Sequence, residues 1–196
     1  FELMVGGVGV LAALEWQRVI RSNGPQQRNI SWLLFGLLYI FVPCLILVWL
    51  RDIDGQGRQV VIWLFAIIWA TDIGAYFSGK SIGGPKLAPT ISPNKTWAGF
   101  FGGLFFAGLM GFILNSYAEP SFDMLEIFIA SVALSIVGQL GDLLESWVKR
   151  TFEVKDSGSL IPGHGGVLDR IDAILLAIPV AGIIVLIYDI GEVPWK

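Results

Sequence analysis

One cysteine, Cys44, and one histidine, His164, stand in a chain of 196 residues. A single cysteine closes no internal disulfide, which removes the stapled secreted folds, and one Cys with one His cannot build a zinc site of the usual kind. Charge is also scarce. Only 15% of the residues are charged, against the roughly one quarter typical of soluble domains, so an ordinary water-exposed surface could not be covered. The formal charge of -3 gives no bulk attraction to nucleic acid, so no nucleic-acid partner is expected. No Walker A run, GxGxxG fingerprint, GxSxG elbow or HExxH pair occurs. What abounds is apolar: 55% of residues are hydrophobic and the mean hydropathy is +0.70. The 24 glycines are spread among 13 Phe and 8 Trp, so low-complexity disorder is excluded. This is the composition of a polytopic membrane protein.

A hydrocarbon core of about 30 Å needs roughly 20 apolar residues per helix. Six stretches meet or approach that length, at about 1–20, 31–50, 60–79, 97–117, 124–141 and 171–188. The expected fold is therefore an all-α transmembrane bundle of about six spans, with residues 1–196 forming one integral-membrane catalytic domain. Phe1 lies inside an apolar run with no initiator Met or basic segment before it, which argues against a cleavable signal peptide. The expectation is that the natural N-terminus, with further spans, precedes Phe1. Glycines 6, 7, 9, 102, 103, 108 and 111 fall in these apolar helices and are expected to allow close helix packing.

Alternating the connections between two sides gathers Arg18, Arg21, Arg28, Lys80, Lys86, Lys95, Lys149, Arg150, Lys155 and Arg170 on one face. These are ten of the 13 Lys and Arg residues, so the positive-inside rule makes that face cytoplasmic. It also carries the polar segment 142–170. Asp142, Glu145, Ser146 and Lys149 recur at helical spacing, so one helix is expected from about 124 to 152, its inner end bearing a polar stripe. A Gly/Pro loop follows, and the last helix starts near Leu168.

Ionisable groups at membrane depth are expensive and mark function by default. Asp72, with Tyr76 and Lys80 at i+4 and i+8, and Asp142, Glu145, Asp169 and Asp172 all fall toward the basic face. Hard divalent cations take oxygen ligands, and Mg²⁺ is typically held by one or two carboxylates plus substrate phosphates. Carboxylates on two neighbouring helix ends suit such an ion. Lys149, Arg150, Lys155 and Arg170 flank them, an arrangement that suits a polyphosphate and equally serves cations that anchor the cytoplasmic face. Ser92-Pro93 reads as a helix start, with Ser92 at the N-cap and Lys95 nearby, an arrangement that can receive an anion. His164, alone between glycines, is read first as a loop hydrogen-bonder.

The segment Ser146-x-x-Lys149-Arg150-x4-Lys155-Asp156-x5-Pro162-Gly163-His164-Gly165-Gly166-x-x-Asp169-Arg170-x-Asp172 closely resembles the signature of the phosphatidate cytidylyltransferases, also called CDP-diacylglycerol synthases. A second stretch also looks like that family: Asp72-x-Gly74-Ala75-Tyr76-Phe77-x-Gly79-Lys80, resuming as Leu87-x-Pro89-x-Ile91-Ser92-Pro93-x-Lys95-Thr96. The resemblance implies transfer of CMP from CTP to phosphatidate, giving CDP-diacylglycerol and pyrophosphate. It further implies Mg²⁺, a second monovalent ion such as K⁺, and a homodimer in the bacterial inner membrane with the site facing the cytoplasm. Carried onto this chain, Asp142 and Asp169 would hold the metal, and Ser146, Lys149, Arg150, Lys155 and Arg170 would contact phosphates. Asp72, Glu145 and Asp172 stay open as alternative ligands. Lys80, Lys95, Ser92 and His164 are the remaining candidates for substrate.

Two rivals make different predictions. A CTP-dependent polyprenol or phytol kinase would take an alcohol and release CDP. A transporter would need paired broken helices and an inverted repeat, and no repeat relates the halves of this chain.

Overall fold

A computed structural model of the chain describes residues 1–22, 30–117, 123–158 and 165–189. Six helices follow in order: α1 (Glu2–Arg21), α2 (Ile30–Asp52), α3 (Gly57–Ile82), α4 (Trp97–Tyr117), α5 (Met124–Thr151) and α6 (Leu168–Asp189). Between α3 and α4 lies a two-stranded antiparallel hairpin, β1 (Lys86–Ala88) and β2 (Ser92–Thr96), pairing Lys86 with Thr96 and Ala88 with Ser92. All six helices are long and apolar enough to cross a membrane. With so little sheet, the all-α membrane bundle is the observed architecture.

The longest helix, α5, has 28 residues, which at about 1.5 Å per residue is near 42 Å and exceeds the hydrocarbon thickness. Asp123 caps its start, its Oδ1 accepting from Leu125 N at 3.3 Å. Lys149 and Arg150 occupy its last turn, where cations complement the exposed carbonyls. The single helix expected over 124–152 is thus present, ending one residue earlier.

The ends of α1, α3 and α5 share one end of the bundle. Ser22 Oγ, after α1, donates to Phe152 O after α5 at 3.0 Å. Arg150 Nε donates to Ile91 O in the hairpin at 3.3 Å. At the opposite end the Arg51 guanidinium sits 5.9 Å above the Phe1 ring. Two apolar clusters run between these ends. One joins α2, α3, α5 and α6 through Leu50, Leu64, Ile67, Leu134 and Ala177. The other joins α1 and α2 to the inner ends of α5 and α6 through Trp16, Ile40, Val148, Phe152 and Leu168. Trp69, Phe101, Phe105, Ile129 and Ile187 face outward, where the solvent of a membrane bundle is lipid.

Small residues set the closest helix approaches. A Cβ at Gly74 would lie 2.7 Å from Phe106 Cβ and 2.8 Å from Gly102 O, so α3 and α4 meet nearly backbone to backbone. Glycines 102, 103, 108 and 111 also have neighbours within van der Waals range on α3 or α5, and Gly9 packs on Cys44. Gly6 and Gly7 do not: nothing lies within 4 Å of a Cβ there, because they sit on the exposed face of α1.

A second expectation is corrected at Ser92. The helix starts at Trp97, and Thr96 caps it, with Thr96 Oγ1 accepting from Gly99 N at 3.0 Å. Ser92 and Pro93 belong to β2 instead. Proline's fixed φ suits an edge strand as well as a first helical turn, and the pairing with β1 decides between them.

Gly74→Val should destabilise the bundle by about 1–3 kcal/mol, the usual range for overpacking a tight site. Unfolding in SDS-containing mixed micelles measures it, and a variant as stable as the parent would contradict the close α3–α4 crossing.

Candidate active site

The charged end of the bundle holds two groups of polar side chains. The first surrounds a cavity of about 530 Å³ walled by α3, the hairpin, α4 and α5. Helical spacing on α3 places Asp72, Tyr76 and Lys80 along this wall. The hairpin contributes Asn94 and Lys95, and α5 contributes Gln139 and Asp142, nearly one turn apart. Lys95 Nζ lies 2.6 Å from Asp142 Oδ2, both side chains being partly exposed. Ser146 Oγ donates to the other oxygen, Asp142 Oδ1, at 3.4 Å. Lys80 Nζ donates to Tyr76 Oη at 3.3 Å and lies 5.5 Å above that ring. The cavity therefore carries two carboxylates and two lysines in one chamber.

The second group ties α5 to α6. Lys149 Nζ stands 2.6 Å from Glu145 Oε2, one turn back on α5, and 2.7 Å from Asp169 Oδ1 in the first turn of α6. Lys149 thus forms an ion pair with each carboxylate and donates a hydrogen bond to Asp169. Glu145 is 1% exposed. Its charge, removed from water, is compensated by Lys149. Asp169 Oδ2 also accepts from Ser157 N at 3.0 Å and Gly166 N at 2.8 Å. Asp169 thus closes the neck of the segment joining α5 to α6.

The sequence-derived residues distribute unevenly between these groups. Asp72, Lys80, Lys95 and Asp142 line the cavity, with Ser146 beside them on Asp142. Lys149 and Asp169 form the second group. Arg150 reaches from α5 to the hairpin through Ile91 O and also donates to Val154 O at 3.2 Å. Asp172 lies where α5 and α6 approach closely: a Cβ at Gly141 would be 2.7 Å from Asp172 O, and Tyr39 Oη donates to that carbonyl at 3.2 Å. Lys155 is exposed after α5, and Arg170 is in the first turn of α6. Ser92 lies on β2, outside the residues walling the cavity. His164 falls outside the described residues.

Two residues in these groups were not singled out from the sequence. Gln139 is buried at the cavity wall, its Nε2 donating to Phe100 O at 3.4 Å. Glu15 of α1 is fully buried against the neck, accepting at Oε2 from Leu168 N at 2.8 Å and Ser157 Oγ at 3.2 Å. A carboxylate inside an apolar run was the available signal for Glu15, the same one that marks Asp72.

The cavity's donors are hard oxygens, which fit Mg²⁺ and not a softer metal. Among the described residues no three Asp, Glu, His or Cys side chains converge as a complete metal cage. An ion on Asp72 or Asp142 would need its other ligands from water and substrate phosphates, the usual manner of Mg²⁺.

A membrane-spanning helical bundle with a charged chamber at one end is the class that fold and site define. The sequence model of the cytidylyltransferase family matches residues 1–188, and the chain belongs to that family. It is 42% identical over 174 residues to a phosphatidate cytidylyltransferase of Brucella suis, covering 89% of this chain and 60% of that protein. A phosphatidate cytidylyltransferase of Rickettsia bellii is 40% identical over 184 residues, 91% of this chain and 76% of its own length. One from Bacillus subtilis is 40% identical over 151 residues, 77% and 56% respectively. The chain thus spans about 60% of the length of the Brucella relative.

Lys149→Met should destabilise the protein by about 3 kcal/mol, because it leaves the buried Glu145 and the partly exposed Asp169 without their shared cation. Adding Glu145→Gln should recover part of that loss. Unfolding in SDS-containing micelles reads both, and an unchanged single variant would show that Lys149 does not compensate the pair.

Proposed function

We propose that this chain transfers CMP from CTP to phosphatidate at the cytoplasmic face of a bacterial inner membrane, releasing pyrophosphate and forming CDP-diacylglycerol. The observation that carries the proposal is the chamber itself, two lysines and two carboxylates at the charged end of a membrane bundle, in a chain whose relatives are phosphatidate cytidylyltransferases. The excess of Lys and Arg at that end supports the cytoplasmic orientation.

In this reaction a phosphate oxygen of phosphatidate attacks the α-phosphorus of CTP. The new P–O bond forms as the bond to the β-phosphate bridging oxygen breaks, and pyrophosphate leaves with that electron pair. The attacking group is already an anion, so the protein needs little acid–base chemistry. Its work is to bring two polyanions together and to neutralise the charge that shifts onto the leaving group.

Lys95 and Lys80 face one chamber from the hairpin and from α3, which supports giving them the lipid phosphate and the departing pyrophosphate. Lys149, Arg150, Lys155 and Arg170 supply positive potential around the α5–α6 connection, and Ser146 orients Asp142. Asp142 and Asp72, which wall the chamber, are the residues we assign to Mg²⁺. Bound there, Mg²⁺ would lower repulsion between the phosphates. Asp169 and Asp172, the other metal candidates from the sequence, lie outside that wall. Asp169, engaged by Lys149, Ser157 N and Gly166 N, serves the phosphates by holding Lys149. A K⁺ ion and a homodimer, both implied by the resemblance, remain part of the proposal.

Asp142→Asn and Lys95→Met should each lower turnover by about 100-fold or more, the scale of losing one charge-stabilising contact. Purified protein in mixed detergent–phosphatidate micelles, given CTP and Mg²⁺ and followed by pyrophosphate release, provides the measurement. Variants that keep parental turnover would remove the chamber from the reaction.

A further inference from the structure

Glu15 has no place in the chemistry above, yet it is a carboxylate that a membrane helix buries completely. Its chain neighbours on α1 are Leu14 and Trp16, and the groups it bonds lie more than 140 residues away in sequence. Oε2 accepts from Leu168 N, the first residue of α6, and from Ser157 Oγ. Oε1 has no hydrogen-bond partner among the described residues.

Asp169 binds the same neck from within α6. Between them the two carboxylates engage four donors there: Asp169 takes Ser157 N and Gly166 N, while Glu15 takes Ser157 Oγ and Leu168 N. Gly158 and Gly166 leave the room that Glu15 occupies. A Cβ at Gly158 would lie 2.6 Å from Glu15 Oε1, and one at Gly166 would collide with both Glu15 and Ser157. Packing alone is met better by an apolar side chain, because a buried carboxylate oxygen without a partner carries a desolvation penalty. The retained acceptor, aimed at the first backbone N–H of α6, points to a fixed neck geometry.

We infer that Glu15 is a positioning residue, a cap supplied by α1 to the start of α6 that fixes the Ser157–Gly166 neck and through it the placement of Asp169 and Lys149. The inference rests on the reading that Asp169 and Lys149 serve the reacting phosphates. It makes α1 part of the machinery although none of its residues walls the cavity.

The test compares the parent, Glu15→Gln and Glu15→Ala in mixed micelles for kcat, for KM with phosphatidate and CTP, and for the rate of tryptic cleavage after Lys155. A misplacement near 1 Å lowers turnover by about 100-fold, so Glu15→Ala should lose kcat on that scale while KM for phosphatidate holds within about twofold. Its cleavage after Lys155 should rise by about tenfold as the neck opens. Glu15→Gln, whose amide oxygen can accept both bonds, should restore kcat and cleavage to within about threefold of the parent. Glu15→Ala with parental kcat, or Glu15→Gln as impaired as Glu15→Ala, would overturn the inference. If the parent itself fails to turn over CTP and phosphatidate, the proposed reaction is what fails. Cleavage after Lys155 then decides the neck separately, and an unchanged rate in Glu15→Ala would overturn it.

Discussion

Lys149 is shared by Glu145 on its own helix and Asp169 on the next. In a bundle whose helices are mostly apolar, a charge withdrawn from water is costly unless a compensating one stands beside it. Anchoring Lys149 between the two carboxylates fixes the inner end of α5 against the start of α6. Asp169, held there, gathers Ser157 N and Gly166 N and so closes the connection between the helices. Gly141 lets α5 press against the carbonyl of Asp172, close to the same point. Asp142, the next residue after Gly141, meets Lys95 from the hairpin. The cavity wall on the α5 side thus rests on an ion triad built beside it.

The same electrostatics suits the reaction proposed. Joining two phosphate-bearing molecules at a membrane surface is mainly a problem of repulsion. A chamber with balanced charge, two lysines against two carboxylates, can admit an anion to the lysines while the carboxylates face a cation. Trp69, Phe101 and Phe105 give α3 and α4, which help wall this chamber, an outward aromatic face suited to lipid.

Much of the fold could be read from the sequence because the signal was long. Six apolar runs place the six helices to within about three residues, and the α5 extension follows from a stripe that keeps helical spacing past the apolar run. Short-range signals served less well. Ser92-Pro93 satisfies the rules for a helix start, but pairing with Lys86–Ala88 makes it a strand, and the capping role passes to Thr96. The stripe itself was legible as one face, yet the structure divides it. At about 100° per residue, Glu145 and Lys149 fall on one half of the arc and turn to Asp169, while Asp142 and Ser146 fall on the other and turn to Lys95. Spacing along a single helix cannot say which neighbour each half meets. Glu15 shows the same limit, since its partners come from the far end of the chain.

The proposed reaction differs from phosphoryl transfer in which phosphorus of CTP reaches the lipid. CTP labelled in parallel at its α- and γ-phosphates, incubated with the protein in phosphatidate micelles and Mg²⁺, settles that point. The account predicts α-label in the lipid phase, γ-label in pyrophosphate and equal amounts of both products. Label from the γ-position in the lipid, with CDP released, would contradict it.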